Sequence, residues 1–435
     1  MHKTTLARLV PPWLLSYSGV ILGTGFLLNL GYAFVQFTHS LTIPSMREGL
    51  DLTYTQAGVM MTVGSALRMV GAMVFGTLAS RYGSRAIVGV GTLVTGGGML
   101  LFGYSPNYAV ALAAMGVMGF AASAAITPMM GMLSSWFDSQ TRGLAAGLAA
   151  AGSAVPLLVA GLLVPRLVEN DPIDGWRHTW YILGVVVLVI GLAALALLRD
   201  RPAEAVTGQP LPRRDGDSRR AWPLAVYRNR VVWWVTGMAF CSGWGVGIFS
   251  TYFGAYLAEE RANGLDLAGN LLVVIGVLSL VGSVFWGRAS DKMGRPVALT
   301  LAFAFLAVSY GLFWLAPVTG ALVVAAVLIG MTLRANYTIC AAAAGDYVPV
   351  QFAAAAFGLF SVGAVLGQTI SPSVAGAVAD ATHTLGWAFA MAMVSSLLGV
   401  AGGLFLRSGH RLLMPRPVVS KAYDSVDISQ GGDDD

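Results

Sequence analysis

Apolar residues fill long runs along most of this chain, and short polar segments separate the runs. Each run is about 20 residues long, which is the length that a helix needs to cross the hydrocarbon core of a bilayer. The pattern therefore predicts twelve membrane-spanning helices, called spans 1 to 12 in chain order. They cover residues 17–41, 54–79, 85–104, 107–134, 142–167 and 178–198, then 231–257, 267–288, 296–316, 319–343, 353–378 and 386–406.

The composition supports a chain that folds in lipid. Of its 435 residues, 56% are hydrophobic and only 11% are charged, and the mean hydropathy is +0.71. These values exclude a water-soluble globular domain of this size. The two cysteines, Cys241 and Cys340, both fall within predicted spans, so neither a disulfide framework nor a zinc site is predicted. The N-terminal segment lacks a small-residue cleavage site, and span 1 is interpreted as an uncleaved helix.

The basic residues predict the orientation in the membrane. Twelve spans place both termini on one side, and most of the 26 Lys and Arg residues fall there. Two others lie inside spans, and four lie in loops of the other side: Arg47, Arg166, Arg177 and Arg261. By the positive-inside rule, both termini are cytoplasmic, and we expect a multi-pass protein of a bacterial-type inner membrane. The net charge of +5 then reflects topology, and nucleic-acid binding is not predicted.

An internal repeat divides the chain into two halves. Six residues of the first half have an identical residue 211 positions later in the second half. In the first half they are Gly76, Gly83, Gly147, Gly152, Gly175 and Trp176, and in the second half they are Gly287, Gly294, Gly358, Gly363, Gly386 and Trp387. One constant offset predicts equivalent helices in the same order, which is typical of a duplication. We expect two six-helix, pseudo-symmetric halves at 1–198 and 231–416, a polar cytoplasmic linker at 199–230 and a disordered polar tail at 417–435.

Two loops of this repeat share a sequence motif. Between spans 2 and 3 the chain has Gly76, Arg81, Gly83 and Arg85, and between spans 8 and 9 it has Gly287, Asp291, Lys292, Gly294 and Arg295. Both resemble the signature cytoplasmic loop of the major facilitator superfamily, which implies the twelve-helix major facilitator fold and a gating role for these residues. In the first copy Ser80 stands at the acidic position, so its conformational latch is expected to be weak. The alternative is that Arg81 and Arg85 only anchor the loop at the membrane surface.

Further motifs resemble one branch of that superfamily. Trp136-Phe137 followed by Arg142-Gly143, with Gly175-Trp176-Arg177 opening span 6, is similar to the monocarboxylate and oxalate/formate transporters. The resemblance implies a transporter of small monocarboxylates and adds Arg142 to the gating residues. Pro44-Ser-Met46, expected to follow span 1, resembles bacterial sugar-transporter-like proteins. The glycines of span 5 fit an antiporter pattern, and close helix packing explains them equally well.

Two arginines lie deep within the predicted spans. Arg68 of span 2 and Arg334 of span 10 are both near the middle of the membrane, and no Asp or Glu lies in the central part of any span. A buried charge in a membrane usually faces a cavity and has a partner. We therefore predict that an anionic substrate balances the two guanidinium groups. The alternative is that each guanidinium bonds to carbonyl groups of an interrupted helix and only stabilises the bundle.

Polar residues near these arginines complete the predicted site. Asn29, Tyr32, Gln36 and His39 form a stripe on span 1, and Asn336 and Tyr337 follow Arg334. The amides and phenols are expected to orient the substrate, although ordinary hydrogen bonding between helices would use the same groups. His39, placed near the outer end of span 1, is a candidate for proton coupling, with simple interfacial location as the alternative.

These observations predict a secondary active transporter of small organic anions that works by alternating access. Proton symport, anion exchange and uniport all fit the sequence. We expect a monomer that is surrounded by membrane lipid. The alternatives are a multidrug or amphiphile efflux transporter and a non-transporting membrane sensor or assembly factor. No catalytic constellation, cofactor motif, metal-ligand cluster or phosphate loop is present in the sequence, so an enzyme is not predicted.

Overall fold

The computed structural model describes residues 17–137, 141–200, 224–261, 264–315, 318–346, 348 and 353–413. Within these residues twelve helices are long and apolar enough to cross a membrane, which confirms the predicted all-α class and the number of spans. The helices are α1 (Tyr17–Leu50), α2 (Tyr54–Tyr82), α3 (Ser84–Tyr104), α4 (Tyr108–Trp136), α5 (Arg142–Ala151), α6 (Val155–Asn170), α7 (Gly175–Leu197), α8 (Leu224–Arg228), α9 (Arg230–Ala255), α10 (Gly264–Met293), α11 (Arg295–Leu315), α12 (Thr319–Thr332), α13 (Ala335–Asp346), α14 (Ala353–Thr382) and α15 (Gly386–Leu413).

These helices correspond to the predicted spans with two interruptions. Spans 1 to 4 are α1 to α4, span 5 is α5 with α6, and span 6 is α7. Spans 7, 8 and 9 are α9, α10 and α11, span 10 is α12 with α13, and spans 11 and 12 are α14 and α15. The short helix α8 lies within the predicted linker. The tail at 417–435 and most of the linker lie outside the described residues.

The twelve spans have two ends, which we name by position. The linker side carries Arg199 and Leu224, and the opposite side carries the ends of spans 1 and 2 that meet at Asp51. Span 1 starts on the linker side, where the hydroxyl of Tyr17 donates to the carbonyl of Leu197 at 2.5 Å. The direction of each following span alternates from there.

Span 1 extends past the boundary predicted for it. The sequence placed its end at residue 41 and Pro44 in the following loop, because proline removes a helical hydrogen bond. The helix continues through Pro44 to Leu50. The carbonyl of Ser40, which Pro44 leaves without its helical donor, lies against Gly254 of span 7, where a side chain at position 254 would clash with it. Tight packing between the halves therefore supports the helix at the proline.

Spans 5 and 10 are interrupted near the middle. In span 5 a short 3-10 segment, Gly152–Ala154, separates the two helices. In span 10 the interruption falls at Leu333 and Arg334, between Thr332 and Ala335. Interrupted helices leave backbone groups free of helical bonds, and a membrane protein tolerates them only where protein or a cavity surrounds them. The two interruptions contact each other inside the bundle, where Arg334 reaches Ser153.

The two halves meet through pairs of spans. Span 1 packs against span 7, span 2 against span 11, and span 5 against span 8. The last pair approaches very closely at Gly161 and Gly269, since a Cβ atom at Gly269 would lie 2.2 Å from the carbonyl oxygen of Gly161. Glycine at this crossing lets the backbones touch. The middle of the bundle is thereby fixed around the boundary between the halves.

Candidate functional site

Arg68 lies at the middle of span 2 and reaches across to the second half. Its Nη2 atom donates to Oε1 of Gln368 in span 11 at 3.0 Å and to Oγ of Ser65 at 3.3 Å. Its Cζ atom lies 5.4 Å from the ring centroid of Tyr32, within cation-π range. Among the described residues, no carboxylate forms an ion pair with Arg68.

Arg334 lies in the second half and reaches across to the first half. It lies in the interruption of span 10, and its Nη2 atom donates to the carbonyl of Ser153 in the interruption of span 5 at 3.2 Å. Its Nε atom is buried and has no hydrogen-bond partner in the described part of the chain. No ion pair to Arg334 is formed there either. The bond to a carbonyl of an interrupted helix agrees with the structural alternative, but it satisfies only one donor.

Tyr32 of span 1 stands beside the guanidinium of Arg68. Next to Arg68 is a small recess, whose volume of about 20 Å³ is room for about one water molecule. It is lined by residues of spans 1, 2 and 4, namely Tyr32, Val35, Gln36, Met61, Gly64, Ser65, Arg68, Met115, Gly119 and Ala122. The recess offers one cation, small polar groups and a largely apolar wall.

The other predicted substrate residues have different surroundings. Asn29 is buried, and its amide nitrogen donates to the carbonyl of Gly25 in its own helix at 2.9 Å, which uses one of its two N–H groups. Asn336 is fully buried, and both atoms of its amide are unpaired within the described residues. Tyr337 is half-exposed and packs its ring against Phe360 at 5.0 Å. Of these residues, Tyr32 and Gln36 line the recess beside Arg68, and the roles predicted for Asn29, Asn336 and Tyr337 stay predictions.

His39 does not lie near the outer end of span 1, where the sequence placed it. Because the helix continues to Leu50, His39 is inside the bundle and fully buried. Its ring packs edge-on against Phe102 at 6.4 Å. Both ring nitrogens are unpaired among the described residues. The interfacial explanation is therefore wrong, and the proton-coupling role stays a prediction.

The family follows from a comparison with known sequences. The model of the Major Facilitator Superfamily matches residues 25–262 and 235–422, which together cover most of the chain. The chain belongs to the Major Facilitator Superfamily. It is 24% identical over 387 residues to the "Probable sulfoacetate transporter SauU" of Cupriavidus necator, covering 84% of this chain and 88% of that protein. It is 22% identical over 403 residues to the hexuronate transporter of Bacillus subtilis, covering 88% and 91%.

A solved structure supports the same fold. A crystal structure of a bacterial homolog to the human lysosomal transporter Spinster, inward-facing and unoccupied, superposes with a TM-score of 0.69. The superposition covers 92% of this chain and 98% of that one at 15% sequence identity. At this identity the likeness concerns the fold alone. Twelve spans in two halves are thus the architecture of this Major Facilitator Superfamily member.

The first signature loop is held by an acid that the motif does not contain. Gly83 has φ +85°, which favours glycine, and the next helix begins at Ser84. Asp200, just after span 6, accepts from the backbone N of Arg85 at 2.8 Å, and Arg85 Nε donates to the carbonyl of Leu195 at 2.7 Å. A carboxylate at a helix N-terminus is stabilising. Asp200 therefore anchors this loop within its own half, where Ser80 leaves the motif without an acid.

The second signature loop uses its own acid. Gly294 has φ +86°, and Asp291 accepts from Nη1 of Arg295 at 2.8 Å. Lys292 is exposed, and the position beside Gly287 is open. In the first loop Gly76 and Arg81 are also exposed, and span 5 begins at Arg142, whose side chain is not among the described ones. The glycine turn is common to both loops, whereas the acids that hold them differ.

A set of polar contacts closes the opposite side between the halves. Arg47 pairs with Glu259, which also accepts from the hydroxyl of Tyr54 at 2.5 Å. Asp380 accepts from the backbone N of Tyr54 at 2.9 Å and from the backbone N of Thr55 at 2.8 Å. The superfamily member is therefore seen with its halves joined on the opposite side.

Sequence reasoning missed four groups that hold these contacts. Gln368 and Ser153 bind the two arginines, and Asp200 and Asp380 bind helix N-termini. An amide near the middle of span 11 was a usable signal for Gln368, since few polar residues of that size lie inside spans. Asp200 had been assigned to the linker. The carbonyl of Ser153 has no side-chain signal, apart from the Gly152 and Pro156 that flank the interruption.

Proposed function

We propose that this chain is a secondary transporter of small organic anions, with monocarboxylates as the preferred class. The observation that carries the proposal is a pair of guanidinium groups inside the bundle, Arg68 and Arg334, each bonded across the halves to neutral oxygen atoms. A buried cation needs a counter-charge, and leaving it uncompensated is costly. A bound anion supplies that charge between the two halves.

The lining of the recess supports a small polar anion. Its volume of about 20 Å³ is far below that of a ligand pocket, so its walls must separate for any organic anion to enter. Met61 and Met115 narrow it, while Ser65 and Gln36 offer hydrogen bonds. The names of the two relatives also support this class, because sulfoacetate and hexuronates are organic anions. A larger lipophilic substrate would require these walls to move much farther apart.

The transport cycle follows from the contacts between the halves. With the linker side assigned to the cytoplasm by its basic residues, the contacts on the opposite side join the halves at the outer surface. The substrate bound at Arg68 and Arg334 would be exposed to either side in turn as the halves rock about it. Transport in this scheme needs no cofactor and draws on solute gradients, with a proton or an exchanged anion as the coupled partner.

The test is ligand stabilisation of the purified protein, followed by flux. We expect small carboxylates to raise the unfolding temperature, because a ligand that binds the folded state stabilises it. Arg334→Gln should abolish the effect. Arg407→Gln is the matched control, since Arg407 is exposed at the linker-side end of span 12. Proteoliposomes would then show carboxylate uptake that unlabelled carboxylates inhibit. Stabilisation or competition by lipophilic cations and not by carboxylates would reject the proposal in favour of an efflux transporter.

A further inference from the structure

Gln368 holds Arg68 with an oxygen atom that carries no charge. The amide Oε1 accepts from Nη2 of Arg68 at 3.0 Å, and the second partner of that nitrogen, the hydroxyl of Ser65, is also neutral. A guanidinium has five N–H donors, and these two bonds use one of its three nitrogens. The contact therefore fixes the direction of the side chain while most of its donors stay available to a ligand.

The backbone that carries Gln368 is held firmly in the second half. Two glycines of span 7 pack against it, and a Cβ atom at Gly243 would lie 3.1 Å from the backbone N of Gln368. At Gly247 a Cβ atom would lie 2.8 Å from the carbonyl oxygen of Gln368. Because spans 7 and 11 pack backbone against backbone at this point, the amide is presented to the first half from a tightly packed helix.

The first half has no counterpart of this amide. The position 211 residues earlier is Leu157 of span 5, which is buried among apolar residues. The polar residue is thus a feature of one half only. A glutamate at position 368 would have the same length and could accept the same hydrogen bond, but it would also neutralise Arg68. Glutamine and glutamate have the same shape and differ by one negative charge. The chain has glutamine, the neutral one, directly beside Arg68.

We propose that Gln368 is a specificity-determining residue: it positions Arg68 across the two halves and leaves its positive charge to the substrate, so that the site selects anions over neutral molecules of the same shape. This inference rests on the proposed function, because it concerns the same site. It adds that the preference for anions depends on the neutrality of residue 368, and not only on the presence of the arginine.

The test uses two probes of equal size, propionate and its neutral analogue propionamide, with binding measured by titration calorimetry on the purified protein. Wild type should prefer propionate. An opposite charge at hydrogen-bonding distance shifts a protonation equilibrium by about tenfold to a thousandfold. We therefore expect Gln368→Glu to weaken propionate binding about tenfold or more and to leave propionamide binding within about twofold, since a neutral probe does not sense the lost charge. The preference for the anion would then collapse.

Two further variants separate charge from shape. Gln368→Met keeps the length of the side chain and removes its oxygen, so we expect weaker binding of both probes and an unchanged preference for propionate. Gln56→Glu makes the same chemical change in the capping box of span 2, where Glu is also accepted, and should bind both probes like wild type. Thermal unfolding of each variant checks that it is folded.

The outcomes distinguish the two proposals. If wild type binds no carboxylate, the proposed function fails. If wild type prefers propionate and folded Gln368→Glu keeps that preference, this inference fails while the proposed function stands. A loss of preference in Gln368→Met would also overturn it, because the variant leaves the charge of Arg68 unchanged. Should Gln368→Glu not fold, the result for Gln368→Met still decides between charge and shape.

Discussion

Asp380 and Thr55 join the two halves of the protein at the opposite side. The carboxylate of Asp380 in span 11 accepts from the backbone N of Thr55 at 2.8 Å and from its hydroxyl at 2.5 Å. Thr55 lies in the first turn of span 2, where unpaired N–H groups give the helix a partial positive charge. The contact is therefore a charge-assisted bond between a side chain of one half and the helix end of the other.

Asp380→Asn should weaken the closure of the opposite side. The amide keeps only one acceptor oxygen, and its NH₂ group would face N–H and O–H donors to which it cannot bond. We therefore expect the closed state to lose about 1.5–3 kcal/mol of stabilisation. The measurement is the distance between spin labels at Ile173 and Thr382, both exposed on that side, in a protein without Cys241 and Cys340. Glu48→Gln, at an exposed acid of the same side, is the control. An unchanged distance distribution in Asp380→Asn would show that this contact does not hold the halves together.

A disulfide between spans 2 and 11 should lock the protein in the observed state. The hydroxyl oxygens of Thr62 and Ser373 lie 2.7 Å apart on opposite halves. With cysteine at both positions, in a background lacking the two native cysteines, oxidation should stop transport in proteoliposomes, and a reductant should restore it. Each single cysteine should transport normally under oxidising conditions. Transport at the wild-type rate by the cross-linked protein would mean that spans 2 and 11 need not separate.

The two signature loops offer a matched pair of glycine substitutions. Gly83 and Gly294 have nearly equal positive φ angles, +85° and +86°. Backbone strain in such regions costs about 1–3 kcal/mol for a residue with a side chain. A Cβ atom at Gly83 would also lie 2.6 Å from Oδ2 of Asp200, whereas the space beside Gly294 is open. In thermal unfolding, Gly83→Ala should therefore destabilise more than Gly294→Ala. Equal losses would indicate that Asp200 does not anchor the first loop.

Gly269→Ala should separate spans 5 and 8. The added methyl group would meet the carbonyl oxygen of Gly161, and overpacking of this kind typically costs about 1–3 kcal/mol. Gly97→Ala is the matched control on span 3, because nothing lies within 4 Å of its Cβ position. Thermal unfolding in detergent should show a lower midpoint for Gly269→Ala than for wild type, and an unchanged midpoint for the control. Equal stability of the two variants would contradict the close backbone contact between these spans.

The sequence predicted the architecture well because its signals are local. Runs of apolar residues define the spans, and the repeat at 211 residues defines two halves. Arg68 and Arg334 are conspicuous for the same reason, since a charge stands out in an apolar run. The boundary of span 1 was wrong because the rule that proline ends a helix is also local, and it takes no account of Gly254 packing against the helix from the other half. The misplacement of His39 followed from that boundary.

The partners of the arginines could not be predicted, because they are set by tertiary packing. Gln368 lies 300 residues from Arg68 in the chain, and nothing in the sequence states which face of span 11 meets span 2. The bond from Arg334 to Ser153 uses a carbonyl group that every residue possesses. Asp200 replaces a missing acid from a different part of the chain. Each of these contacts depends on where a second helix lies.

The two arginines, which have no acidic partner among the described residues, also bear on how the proposed transporter would respond to membrane voltage. Moving one elementary charge through the whole field of the membrane changes its energy by about 2.3 kcal/mol per 100 mV. Even a partial displacement of the two guanidinium groups along the field would make reorientation of the empty carrier electrogenic. A bound anion would travel with them and cancel part of that charge movement, so that the loaded carrier would respond less to the potential than the empty one.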